Sequence, residues 1–165
     1  MFSLTQSLLN GVLLSLIFGL MVVGSLRWNP RLWIQDYPAA IRATQPPLTA
    51  QEQRQRAVLS GLILLIALGL PVLFVAQLRA ADDGTLTFGA AYLFLWISLQ
   101  MVNLFDAVII DWVWLVMFHP KFVILPGAEG LAHLLEDKRM HLTNYAKGVV
   151  IFSVLALPFA LAAVV

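Results

Sequence analysis

Two carboxylic acids, Asp106 and Asp111, stand in a stretch that is otherwise almost wholly apolar, with Gln100 and Asn103 just before them and Tyr92 and Trp96 further back. Drawn as one α-helix at about 100° per residue, all six fall within an arc of about 140°, together with Trp114. The opposite side carries Ile97, Met101, Val102, Phe105, Val108 and Ile109. One face suits lipid, and the other suits protein or a cavity. An Asp at the middle of a membrane helix costs about 2.5–3.5 kcal/mol, and each Leu, Ile, Phe or Val returns only about 0.3–0.6 kcal/mol. Such a helix still inserts, but its acids then require an internal partner, water or a proton. The chemistry on offer is the binding or translocation of a proton, a cation or a small polar or lipid ligand. The structural alternative has Gln100 and Asn103 bonding between helices and the acids pairing with Arg27, Arg54 or Arg56. On either reading Asp106 is expected to point into the bundle, away from lipid and within reach of a polar group from another helix.

A second set, His133, Glu136, Asp137 and His141, has the i, i+3, i+4, i+8 spacing of ligands on a helix and is the one metal candidate in the sequence. The same helical period places His133, Glu136 and Asp137 opposite a stripe formed by Leu131, Leu134, Leu135 and Leu142. A hydrated polar face accounts for them without a metal. The chain has no cysteine, which excludes disulfides, thiol catalysis and Cys-ligated metals. Neither a phosphate-binding glycine loop nor a zinc-protease or nucleophile-elbow motif is present. Basic residues are not interleaved with a stacking platform, so nucleic acid is not an expected partner. The residue types name no cofactor.

The elements that must position these groups follow from composition. Apolar residues make up 61% of the 165 residues, charged residues only 12%, and the net charge is +1. A soluble domain of this size could not bury so much apolar surface, which argues against a soluble enzyme, a disordered chain and a free nucleic-acid binder. Each spanning helix needs about 20 largely apolar residues. Four runs satisfy this and predict spans at 5–26, 51–79, 86–118 and 144–164, joined by loops at 27–50 and 119–143. The first reads as a retained span rather than a cleaved leader, because no basic residues precede it. The expected fold is therefore an all-α integral membrane protein: a four-helix transmembrane bundle, one domain over 1–165. A short amphipathic helix, Glu129–Met140, is expected to lie near the membrane plane with Leu131, Leu134 and Leu135 buried. Thr49-Ala50-Gln51-Glu52 reads as a capping box that starts the second span.

Nine of the ten Lys and Arg residues lie in or beside the first and third loops; only Arg79 neighbours the 80–85 turn, with Asp82 and Asp83. That bias predicts cytoplasmic loops one and three and an outward N-terminus and C-terminus, in the cytoplasmic membrane. Ser7, Gly11, Ser15 and Gly19 recur every fourth residue of the first span and form a small-residue row for close helix packing, within the bundle or between two copies. Three functions fit these features. The polar face of the third span binds or translocates a ligand; or it docks another membrane protein as a scaffold or accessory subunit; or the chain is an enzyme modifying a lipid or quinone, with an Asp as general base. Besides the lipid bilayer, the partners these readings imply are a second copy or another membrane protein.

Overall fold

The computed structural model describes residues 3–81 and 83–165; Asp82 of the predicted 80–85 turn lies outside them. Among the described residues there is no strand, and four helices are long and apolar enough to cross a membrane: Leu4–Trp28, Ala50–Ala80, Phe88–Phe118 and Lys138–Val164. The first is α1. A tight 3-10 turn, Pro30–Asp36, and a short α2, Ala39–Ala43, lead to α3, Ala50–Ala80. The third long helix changes character: α4, Phe88–Phe105, continues as a π-helical segment, Asp106–Phe118. Two 3-10 turns, Lys121–Val123 and Glu129–Glu136, connect it to α5, Lys138–Val164.

Local chemistry explains the boundaries. Thr49 and Glu52 form the reciprocal capping box that opens α3. His119 ends the π segment in the left-handed conformation, φ 47°, and Pro120 follows with no N–H to continue a helix. The predicted helix Glu129–Met140 is corrected. It ends at Glu136, because the Asp137 carboxylate accepts from the N–H groups of Arg139 and Met140 and starts α5 there. The fourth long helix thus begins six residues before the predicted 144, at Lys138. Leu131, Leu134 and Leu135 are half-buried against the first loop, while Leu142, predicted on their stripe, is on α5 and exposed.

The main core lies between α1, α4, α5 and the far end of α3, around Leu14, Phe74, Phe94, Leu95 and Leu99. Ser7, Gly11, Ser15 and Gly19 lie along the α1–α4 contact. A Cβ on Gly11 would come within 2.6 Å of the Met101 Cβ, and one on Gly19 within 2.7 Å of the Phe105 ring. Ser98 Oγ donates to the Ser7 carbonyl across this contact at 3.0 Å. The row is thus occupied within the chain. By contrast, α3 is held mainly at its ends. The Arg31–Glu52 ion pair, 2.6 Å, ties its start, while Asn10 donates to Gln77 at 2.9 Å and Arg79 donates to the Ala163 carbonyl at 3.2 Å near its end. Its buried residues are Pro71, Phe74, Val75 and Leu78, all in the last third.

The two basic loops meet at one end of the bundle. Tyr37 donates its hydroxyl to the Val123 carbonyl at 2.7 Å, and Gln45 donates to the Pro126 carbonyl at 2.9 Å. Ile41, Leu125 and Ala128 make a second, small core between the loops. This end holds the candidate site.

Candidate functional site

The polar face predicted for the third span divides in two. Its α4 half is spent on α5. Gln100 donates to the Val149 carbonyl at 3.0 Å, and Asn103 to the Tyr145 carbonyl at 3.1 Å and to Gln100. The Trp96 indole donates to Ser153 Oγ at 2.8 Å, and the Tyr92 hydroxyl to the Ser153 carbonyl at 3.3 Å. Gly148 makes the closest approach, because a Cβ there would fall on the Asn103 carboxamide. Four of the six predicted site residues are therefore helix-to-helix ties.

The π half is different. Segment 106–118 is rich in β-branched Val108, Ile109, Ile110, Val113 and Val116, which crowd at i+3 and i+4 in an α-helix. The π turn, closed by i→i+5 bonds, is wider than an α turn. It also changes which residues share a face. Asp106 and Asp111 are five apart, about 140° apart on an α wheel, but an i→i+5 helix brings residues at that spacing close to one line. Both acids line a cavity of about 290 Å³ at the basic-loop end.

Asp111 has a partner from α5. Its Oδ2 lies 2.9 Å from His141 Nδ1, and the His141 side chain is only 4% exposed. His141 Nε2 lies 2.8 Å from the Leu135 carbonyl. A carbonyl only accepts, so Nε2 carries a hydrogen. The remaining proton of the pair sits in the Nδ1–Oδ2 link, and whichever atom holds it, the Asp111–His141 pair is neutral as a unit. His141 has no ring nitrogen left for a ligand. The Asp106 carboxyl, in contrast, makes no hydrogen bond or ion pair with any described residue. The expected polar partner from another helix is thus not found; Asp106 faces the cavity.

The first loop completes the wall with Trp33, Asp36 and Tyr37, which the sequence places only within the 27–50 loop. The signal for Asp36 was there, since it is the only acid between Arg27 and Gln51. Asp36 is at the rim, with much of its surface exposed. Crowding by the loops still raises its carboxyl above the ordinary range, while the charges of Arg56 and Arg42 pull it back. Tyr37 is buried, and this burial, then the nearby Asp36 charge, raises its phenol above its usual value, so it stays a donor to Val123. The Trp33 N–H is likewise taken, by Ser25 Oγ at 2.8 Å. Phe18, Val22, Leu26, Ile110 and Leu115 supply apolar wall.

No Lys or Arg lines the cavity. The arginines weighed as partners for the acids do not pair with them; Arg27 lies over the Phe122 ring, 5.4 Å from its centroid. The second predicted set disperses. His133 is exposed, Glu136 pairs with His119 at 2.9 Å on the surface, Asp137 caps α5 and His141 turns inward to Asp111. Among the described residues no three His, Asp or Glu side chains gather as a metal site. Comparison with protein families, curated proteins and solved structures finds no match for this chain.

Proposed function

We propose that this chain is a small integral membrane protein that binds a proton or a small cationic ligand in the acidic cavity between α1, the π segment, α5 and the first loop. The basic bias of the loops puts the cavity at the cytoplasmic end. One observation carries the reading: the cavity wall presents acceptors with almost no donors. The Trp33 N–H, the Tyr37 O–H and both His141 nitrogens are already bonded, leaving only the Asn144 amide at the rim. Asp106 and Asp36 remain as open acceptors. A ligand that fits such a wall brings donors or positive charge; an anion would face uncompensated carboxylates.

The same accounting favours this reading over its rivals. The α4 polar residues are consumed by α5, which leaves that face nothing with which to dock another protein. Asp111, one of the two acids that could act as general base, is engaged by His141, which leaves the enzyme reading resting on Asp106 alone. Beyond Asn103 the bundle is filled by Phe74, Phe94, Leu95 and Leu99, which favours binding over passage through the protein.

The test is tryptophan fluorescence of the purified protein, titrated with sodium, calcium and tetramethylammonium chlorides and, separately, with phosphate. A saturable cation response that weakens at least tenfold in Asp106→Asn, and weakens as protons compete at lower pH, is expected. A cation response unchanged in Asp106→Asn, or a saturable response to phosphate instead, overturns the proposal.

A further inference from the structure

The shape and lining of the cavity narrow the ligand class, on the reading that the cavity takes a cation. We infer that it is built for an organic ammonium ion of about ten non-hydrogen atoms rather than for a metal ion. Three observations converge. First, the volume, about 290 Å³, equals about ten water volumes and is far more than a bare ion fills. Second, the acids arrive from separate elements, Asp36 from the first loop and Asp106 and Asp111 from the π segment. They do not close on one point, and among the described residues no set of three ligating side chains does. His141, the one imidazole in the wall, has spent both nitrogens. A dehydrated divalent ion would find two free carboxylates on separate elements, Asp36 and Asp106, where it requires several oxygens gathered on one point.

Third, the remaining wall is ring and hydrocarbon. Trp33 and Tyr37 are tied down through their polar atoms, so they offer the cavity ring surface without a donor. Phe18, Val22 and Ile110 add apolar area on the α1 and π sides. An ammonium carried on an apolar body matches both halves of this lining. Its charge meets the unpartnered Asp106 carboxylate, its body displaces water from Val22 and Ile110, and the aromatic rings favour a diffuse cation over a compact hydrated one.

Benzyltrimethylammonium has the required size and carries a charge that cannot be lost by deprotonation. Its binding to the purified full chain is measured by calorimetry beside tetramethylammonium, sodium and calcium, with Asp106→Asn and Asp106→Glu as variants. The expected result is binding at least tenfold tighter than tetramethylammonium, little competition by either metal ion, a loss of at least tenfold in Asp106→Asn, and retention within threefold in Asp106→Glu. If sodium or calcium binds more tightly, or displaces the ammonium at equal concentration, the ammonium assignment fails and the cationic cavity stands. If no cation binds, or benzyltrimethylammonium binds Asp106→Asn as well as the natural chain, both fail. Circular dichroism of each variant separates loss of binding from loss of fold, and a folded Asp106→Asn that keeps full affinity counts against the inference.

Discussion

The two halves of the third long helix both carry polar side chains, but only the π half leaves one of them without a partner. From Phe88 to Phe105 the backbone is α-helical, and Tyr92, Trp96, Gln100 and Asn103 each end on α5. From Asp106 to Phe118 it is π-helical, one acid shares a proton with His141, and the other faces open space. A polar residue in an apolar helix therefore says little by itself; what separates a structural tie from a binding group is whether the chain supplies the partner. The difference is energetic too. A satisfied carboxamide stabilises the bundle, whereas an unpartnered carboxyl in apolar surroundings is held against its preference for water.

Substitutions in the two halves should have effects of opposite sign. The largest effect is expected at Gly148, where Val would drive a side chain into the Asn103 carboxamide and separate α5 from α4. A loss of about 3 kcal/mol is expected from overpacking together with lost bonds, measured by denaturant unfolding in micelles. Next, Asp106→Leu should raise stability, by about 1–2 kcal/mol, because it removes an unpartnered acid from the cavity wall. Asn103→Leu should lower stability by about 1 kcal/mol in the same assay, as a bonded polar group is lost. Equal signs for Asp106→Leu and Asn103→Leu would erase the distinction between the halves.

The smallest effect belongs to the rim. The fold raises the Asp36 carboxyl, so the native state binds its proton more readily than the unfolded chain does. Its contribution to stability is then most favourable below the unfolded value, near pH 4, and declines as pH rises through the folded value. Asp36→Asn should remove that decline, with a melting temperature about 1–2 °C higher at pH 7 and unchanged at pH 3. Solvent at the rim keeps the effect small. A drop at pH 7 would mean that the charges of Arg56 and Arg42 outweigh the crowding.

The four long helices were legible because uninterrupted apolar length is a one-dimensional signal, and the capping box was legible because it spans four residues. The site was legible only in part. Asp106 and Asp111 stand out by type and lie at the two edges of one polar arc on a 100° wheel, and the π register brings them closer to one line on the cavity. Sequence spacing groups His141 with His133 and Glu136 when the fourth span starts at 144; α5 starts six residues earlier, at Lys138, and separates them. Counted from Lys138, His141 leads an inward row through Tyr145, Gly148, Phe152, Ala156, Ala160 and Ala163. Trp33, Asp36 and Tyr37 reach the cavity through contacts such as Tyr37 to Val123, separated by 86 positions, which no local pattern encodes.

The end-tied helix α3 has a mechanical consequence on the membrane reading proposed above. Its uncharged run, Ala57 to Leu78, is about 33 Å long at 1.5 Å per residue, slightly more than a typical hydrocarbon core of about 30 Å. Because only its last third is buried against the bundle, α3 can lean at little cost in protein packing, pivoting near Pro71 with the Arg31–Glu52 pair as a tether at the other end. Bilayer thickness thus acts on this one helix before the rest. Thinner membranes should increase its tilt and load that tether, which makes the first loop, and with it Trp33 and Asp36, the part of the molecule most responsive to the lipid around it.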